Sequence, residues 1–378
     1  MVSGMAVLVI GAILPKIIAE ADISFAQAGA LLSMMAIGNL LASLFFPTIQ
    51  MLLGRWAIVI MSSFVPLCFL IMISLPSIHI FYLIMILLGI ARGSITIINN
   101  SVVNKISNNS SKMLNLLHCS FAVGAFLAPF LTALFFYMGL GWRHILYILI
   151  GLCTTSVVSY AFMPADTKQA VDHAKTNSSS IKNKPLFLKS FDFFMIALLL
   201  FFYLGIENCI NGWFVTYLQN TGVMSDTYAT TMVSVTWLVI MIGRIIYASL
   251  AKYYKKSTLI LINALGSSIC FFLLVSSHQL LFITIALVGL GFFLSGIYPT
   301  SIAYAGQFIQ GSSFGMAIIT AIASLGGIIT PQLVGTIADQ KGILVSISML
   351  IVNILIMLML SIITYRRDRK HRIVTQTA

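Results

Sequence analysis

The chain has 378 residues, of which 60% are hydrophobic and only 8% are charged. Ordinary globular domains contain about 25% charged residues, so this composition excludes a soluble protein. The formal net charge is +12, but the basic residues are spread over alternate loops, so we expect no nucleic-acid partner.

Twelve apolar stretches along the chain are long enough to cross a bilayer, which takes about 20 residues each. Their centres lie near residues 10, 40, 66, 92, 125, 153, 205, 238, 267, 292, 325 and 353. The first stretch has about 17 apolar residues, so we expect a short first helix. The sequence therefore predicts an all-α integral membrane protein with twelve transmembrane helices.

Most of the 21 Lys and Arg residues lie in alternate loops and in the C-terminal tail. The remaining loops hold Lys16, Arg143 and Lys341, while Arg92 and Arg244 fall within spans. Because cytoplasmic loops carry the excess of Lys and Arg, both termini are predicted to be cytoplasmic. We expect a multi-pass protein of the cell membrane.

One hydrophilic segment, PADTKQAVDHAKTNSSSIKNKP, separates the sixth span from the seventh. Its Ser, Asn and Lys content is typical of a linker. We therefore predict an N-terminal six-helix bundle at 1–163, a cytoplasmic linker at 164–190, and a C-terminal six-helix bundle with a basic cytoplasmic tail at 191–378.

The two predicted bundles share short sequence patterns. LLGIARGSITIINN (Leu87–Asn100) aligns with LVGLGFFLSGIYPT (Leu287–Thr300), and GAFLAP (Gly124–Pro129) aligns with GGIITP (Gly326–Pro331). These matches predict two pseudo-symmetric six-helix bundles. Parallel repeats of this kind are typical of transporters with a substrate site near the membrane midplane.

Three segments resemble signatures of the major facilitator superfamily. FPTIQMLLGRW (Phe46–Trp56) resembles the loop signature between helices 2 and 3, although Met51 stands at its acidic position. GRIIYASLAKYYKK (Gly243–Lys256) resembles the counterpart between helices 8 and 9, and GWRHILY (Gly141–Tyr147) resembles the start of helix 6. The resemblance covers essentially the whole chain and implies the major facilitator fold.

Three further stretches are similar to the fucose:proton symporter family and its glucose-transporting relatives: Asn115–Pro129, Gly205–Leu218 and Gly296–Ala305. This resemblance implies sugar uptake coupled to protons. Members typically carry acidic cavity residues in helices 1 and 4, whereas these two helices of the present chain have no acidic residue near the midplane.

Glu207 is the only acidic residue well inside a predicted span, helix 7 from about Phe191 to Leu218. An ionised carboxylate is costly to bury in a membrane, so such residues usually face a cavity or a partner. Asn208, Asn211 and Trp213 follow it closely, and amides beside aromatic rings suit sugars. We predict that Glu207 carries the coupling proton and that these three residues contact the substrate. The alternative is that Glu207 is a structural polar group.

Arg92 lies at the midpoint of the fourth span, with Asn99 and Asn100 farther along the same helix. We predict that the two asparagines contact substrate. We also expect Arg92 to interact with Glu207 across the cavity, directly or through substrate. Alternatively, Arg92 bonds carbonyls in its own half or snorkels towards the interface.

His118 is a candidate for proton coupling or gating, since histidine titrates near neutral pH, but at its depth we favour a packing role. The remaining candidate cavity residues come from four different helices and could equally have packing roles: Asn39, Trp237, Tyr298 and Gln332.

Three hypotheses follow for the function. The first is a proton-coupled importer of a sugar or similar small polar solute. The second is an efflux antiporter for drugs or metabolites, whose cavity wall should be richer in Phe and Met than in amides. The third is a receptor-like membrane protein without flux. No motif indicates an enzyme or a cofactor, and we expect a monomer in the lipid bilayer.

Overall fold

The structure is a computed structural model that describes residues 1–54, 56–107, 111–162, 190–309 and 312–377, and these form α-helices without strands. The N-terminal helices are α1 (Val2–Ala21), α2 (Phe25–Leu53), α3 (Trp56–Ile73), α4 (Ile78–Ile106), α5 (Ser111–Tyr137) and α6 (Arg143–Ala161). The C-terminal helices are α7 (Phe191–Gln219), α8 (Asp226–Leu250), α9 (Lys256–Ser276), α10 (Leu280–Ile309), α11 (Ser313–Lys341), α12 (Ile343–Ser348) and α13 (Leu350–Thr377).

The described residues contain twelve helical segments long and apolar enough to cross a membrane, as predicted. The last of them, Ile343–Lys370, combines α12 with most of α13. The first helix has 20 residues, against 18 in α3, 19 in α6 and 29 in α2, so the short first helix stays a prediction. Nearly all of the predicted linker lies outside the described residues, so the linker stays a prediction.

The helices form two bundles, α1–α6 and α7–α13, that meet where α1 contacts α7, α2 contacts α11 and α5 contacts α8. Equivalent glycines from the aligned GAFLAP and GGIITP segments make equivalent contacts. A Cβ on Gly124 of α5 would collide with the Met1 carbonyl at the start of α1, and one on Gly326 of α11 would collide with the Phe201 carbonyl of α7. The pseudo-symmetry inferred from the sequence is therefore confirmed.

We call the face of the bundle where α13 ends the terminal face, and the other the opposite face. At the opposite face, the Asp339 carboxylate of α11 accepts hydrogen bonds from the backbone N–H groups of Phe25 (2.7 Å) and Ala26 (3.0 Å). It thereby caps the N-terminus of α2 across the boundary between the halves. Lys16 of α1 also pairs with Asp226 of α8 at 3.1 Å.

The opposite face therefore holds the two halves together. Ser33 of α2 adds a 2.6 Å hydrogen bond to the Ile328 carbonyl of α11, deeper in the bundle. Among the described residues, five hydrogen bonds join the two halves. All five lie at the opposite face or in the part of the bundle between that face and the middle. A site near the middle is consequently shielded from the opposite face.

Candidate functional site: a charged cavity between the two halves

A cavity of about 170 Å³ lies between the two bundles near the middle of their helices. Its wall is built from α1, α2, α4 and α5 on one side and α7, α8 and α11 on the other. The polar and aromatic residues of this central cavity are Asn39, Arg92, Phe121, Glu207, Asn208, Asn211, Trp237, Arg244 and Ser324.

Glu207 is held from within its own half. The Tyr203 hydroxyl, one helical turn earlier on α7, donates a 3.2 Å hydrogen bond to Glu207 Oε1. Arg244 Nη2, from α8, lies 3.8 Å from the same oxygen. The Glu207 side chain is only 19% exposed, so the carboxylate is anchored by a hydroxyl and a guanidinium.

Arg92 lines the same cavity from the N-terminal half. No carboxylate of the described residues lies within 4.0 Å of its guanidinium. Of the two expected modes of interaction between Arg92 and Glu207, direct or through substrate, the direct pair is therefore not formed in this conformation. The physical reason is that Arg244 sits on a helix adjacent to Glu207 in the same bundle, whereas Arg92 approaches from the other bundle.

A second cavity, of about 210 Å³, lies within the N-terminal bundle, and Arg92 lines it as well. Asn99 faces this second cavity, where its Oδ1 accepts a 3.0 Å hydrogen bond from the Tyr160 hydroxyl. Asn100 lines neither cavity. The two asparagines predicted to contact substrate thus lie outside the central cavity, because their positions on α4 point them away from it.

The two candidate tryptophans have different surroundings. Trp237 lines the central cavity and meets Phe121 edge-on, with ring centroids 6.4 Å apart. Trp213 is fully buried outside the cavity wall; its Nε1 donates a 3.1 Å hydrogen bond to the Pro331 carbonyl, and its ring packs against Phe25. Trp213 therefore serves packing between the halves, contrary to the expected substrate contact.

Three further candidates also lie outside the central cavity wall. The Tyr298 ring packs against Tyr203 with centroids 5.9 Å apart. Gln332 Nε2 donates to the Ala26 carbonyl at 3.2 Å, which places it in the closed opposite face. His118 is exposed on α5, and its packing or coupling role stays a prediction.

Arg244 is the functional candidate that sequence reasoning missed, because it belongs to a segment interpreted as a loop signature. Trp237 and Arg244 are seven residues apart on α8, which is about two helical turns and puts them on one face. This seven-residue spacing is the sequence pattern that could have identified Arg244 as a cavity residue. Phe121 and Ser324 of the wall carry no comparable sequence signal.

Three polar atoms of the wall residues are buried and have no hydrogen-bond partner among the described residues: Asn211 Oδ1, Trp237 Nε1 and Arg244 Nε. Buried polar groups in proteins are nearly always hydrogen-bonded. Two donors and one acceptor around one cavity, with the Asn39 and Asn208 amides beside them, therefore suit a polar solute.

The chain matches the sequence profile of the Major Facilitator Superfamily over residues 1–331 and 224–378. It is 28% identical to major facilitator superfamily domain-containing protein 4A of Homo sapiens over 110 residues, 29% of this chain and 21% of that protein. The match thus spans about a fifth of the length of this relative. Bypass of stop codon protein 6 of Saccharomyces cerevisiae is 24% identical over 382 residues, covering 90% of this chain and 76% of that protein.

Two solved structures share the fold. The nucleoside transporter NupG superimposes with a TM-score of 0.73 at 14% identity, covering 96% of this chain and 97% of that one. A variant of the E. coli fucose:proton symporter FucP gives a TM-score of 0.61 at 16% identity, with the same coverage. With the profile match over the whole chain and twelve candidate spans, the chain belongs to the Major Facilitator Superfamily and is a multi-pass membrane protein.

Proposed function

We propose that this protein is a secondary active transporter that takes up a sugar or similar small polar solute together with protons, by alternating access. The main support for this proposal is the central cavity, where Glu207 lies beside the amides of Asn39, Asn208 and Asn211. Amides offer both donors and acceptors, as the hydroxyl groups of a sugar require. The Trp237 ring supplies an apolar face for sugar C–H groups.

The size and lining of the cavity support a small solute over a drug. Its volume of about 170 Å³ is below the roughly 300–1,000 Å³ of sites for drug-sized ligands. Phe121 and Met35 contribute one aromatic and one thioether side chain to the wall, against three amides. This balance is the one expected for the sugar hypothesis, in which amides outnumber Phe and Met around Glu207.

Alternating access follows from how the halves meet. In the present conformation the halves are joined at the opposite face. If both termini are cytoplasmic, as the basic loops predict, the opposite face is extracellular and the conformation is closed to the outside. Rocking of the two halves would break these contacts and form others at the terminal face.

Coupling requires that the proton and the substrate bias the same equilibrium between the two conformations. Glu207 is placed for this role, because a proton on its carboxylate weakens its attraction to Arg244 and frees that guanidinium for the substrate. Two proteins of known structure that share the fold are described as a nucleoside transporter and a fucose:proton symporter. Both names refer to small hydroxylated solutes, which supports the proposal.

Uptake into liposomes tests the substrate class. Purified protein in liposomes is given labelled hexoses, deoxyhexoses and a nucleoside under an inward proton gradient. We expect saturable uptake of at least one of them, strongly reduced in Asn208→Ala and Asn211→Ala. Asn220→Ala is the matched control, because Asn220 bonds the Thr216 carbonyl outside the cavity wall.

Uptake that is unaffected by the two cavity substitutions would contradict the placement of the site. No uptake of any of these solutes, together with proton-driven export of a lipophilic cation, would instead establish the efflux antiporter.

A further inference from the structure

The central cavity has an unbalanced charge. Two guanidinium groups, Arg92 and Arg244, and one carboxylate, Glu207, line it. With all three ionised, its formal charge is +1. The Glu207 carboxylate lies 3.8 Å from Arg244 and interacts with Arg92 only at longer range, so one carboxylate faces two guanidinium groups and Arg92 is the less compensated of the two.

No other acidic side chain of the described residues is placed to neutralise Arg92. Its own helix, α4, contains no Asp or Glu, and the only acidic residue of α1 is Glu20 at the opposite face, where it pairs with Arg143 at 2.8 Å. A guanidinium within a membrane span normally has an anionic or carbonyl partner, because an unmatched charge there is costly. The partner of Arg92 is therefore to be sought in the ligand.

We propose that the transported solute is itself an anion: a small polyhydroxylated carboxylate of the sugar-acid class, whose carboxylate binds Arg92 while its hydroxyls bind the amides. This inference rests on the proposed function. Guanidinium and carboxylate groups form paired, charge-assisted hydrogen bonds, which are stronger than those between neutral groups. Asn39 lies close to the Arg92 segment of α4. A Cβ built on Gly93, the residue after Arg92, would lie 3.1 Å from Asn39 Oδ1.

The charges also balance over a transport cycle. The empty cavity with ionised Glu207 has a formal charge of +1, and so does the loaded cavity when one monocarboxylate has entered and one proton has bound to Glu207. The empty and loaded carriers thus have the same charge. Symport of one proton with one monocarboxylate is therefore electroneutral, whereas symport of a proton with a neutral sugar moves one positive charge.

A matched pair of sugars tests the charge preference. Galacturonate and galactose differ only in a carboxylate in place of a hydroxymethyl group, and gluconate serves as an open-chain acid. Binding to the purified full chain in detergent is followed by tryptophan fluorescence, for which Trp237 of the cavity wall is a reporter. We expect at least one of the acids to bind about tenfold or more tighter than galactose, as one charge-assisted interaction provides.

Variants assign the preference to Arg92. Arg92→Gln should reduce the preference for the acid to less than about threefold, and Arg92→Lys, which keeps the charge, should retain part of it. Arg369→Gln is the control, because Arg369 is exposed on α13 far from the cavity. If Arg92→Gln does not fold, the comparison of acid and neutral sugar on the unmodified protein still decides the inference.

Tighter binding of galactose, equal binding of both sugars, or no binding of either acid would overturn the inference, as would a preference that survives in Arg92→Gln. Binding requires no gradient, so it is separable from transport. Acid binding without proton-coupled uptake in liposomes would reject the proposed function while leaving the anion site intact. Galactose uptake that responds to membrane potential would uphold the proposed function and reject the anion.

Discussion

At the scale of single residues, the contact between Glu207 and Arg244 is the centre of the site. The two side chains are 19% and 32% exposed and come from neighbouring helices. Removing one partner from such a pair leaves the other charge poorly compensated, whereas removing both avoids that cost. Glu207 and Arg244 should therefore stabilise the protein together, whereas either residue without the other should be destabilising.

A double-mutant cycle measures this unit. Glu207→Gln and Arg244→Gln should each lower the Tm of the purified protein, and the double variant should lose less than the sum of the two, with a coupling energy on the order of 1 kcal/mol. Thermal unfolding in detergent provides the measurement. Strict additivity of the two effects would show that the ion pair contributes nothing.

Some cavity residues could be predicted from the sequence and others could not. Glu207, Asn208 and Asn211 were predicted for the cavity because a carboxylate and amides inside an apolar span are conspicuous, and all three line it. Trp213 was expected there for its ring, yet its neighbours Phe25 and Pro331 bury it. Which face of a helix meets the partner half depends on packing between bundles, and the apolar and aromatic residues that surround the polar positions of α7 do not encode it.

At the scale of helices, the contact between α2 and α11 closes the opposite face. Two backbone N–H groups at the start of α2 donate to Asp339 of α11, so one carboxylate caps a helix that belongs to the other half. The charge also interacts favourably with the positive end of the α2 dipole. This cap must break whenever the halves separate at this face.

Weakening the cap should shift the protein towards the conformation open at the opposite face. An asparagine at position 339 keeps the shape but accepts only one of the two hydrogen bonds. In Asp339→Asn, a cysteine introduced as Asn211→Cys should react several-fold faster with a membrane-impermeant thiol reagent added from the opposite face.

Asp22→Asn is the control for this experiment, because Asp22 lies at the same face in a left-handed conformation that asparagine tolerates. Unchanged reactivity in Asp339→Asn, or an equal increase in both variants, would refute the role of the cap.

Helix boundaries were predictable because they depend on local composition. The predicted seventh span, Phe191 to Leu218, ends one residue before α7 does, and the predicted centre of the fourth span, near residue 92, lies at the middle of α4. The crossing partners, α5 with α8 and α2 with α11, could not be predicted in the same way, since contacts between helices that are distant in sequence leave no local periodicity.

At the scale of the whole molecule, transport requires that the two halves move against each other. Lys16 and Asp226 join α1 to α8 at the opposite face. A short bifunctional thiol cross-linker between Lys16→Cys and Asp226→Cys, in a background without the five natural cysteines, should abolish uptake.

Binding of solute from the terminal face should persist in the cross-linked protein, and cleavage of the linker should restore uptake. Each single-cysteine variant treated with the same reagent is the control. Full uptake by the cross-linked protein would contradict alternating access.

The role of Glu207 in proton coupling is tested in liposomes that contain the protein and a trapped pH dye, by measuring proton influx when solute is added. The chain contains only two glutamates, so Glu20→Gln is a matched control for Glu207→Gln. We expect solute-dependent proton influx in the unmodified protein and in Glu20→Gln, and its loss in Glu207→Gln with solute binding retained. Solute-dependent proton influx that persists in Glu207→Gln would show that this carboxylate does not carry the coupled proton.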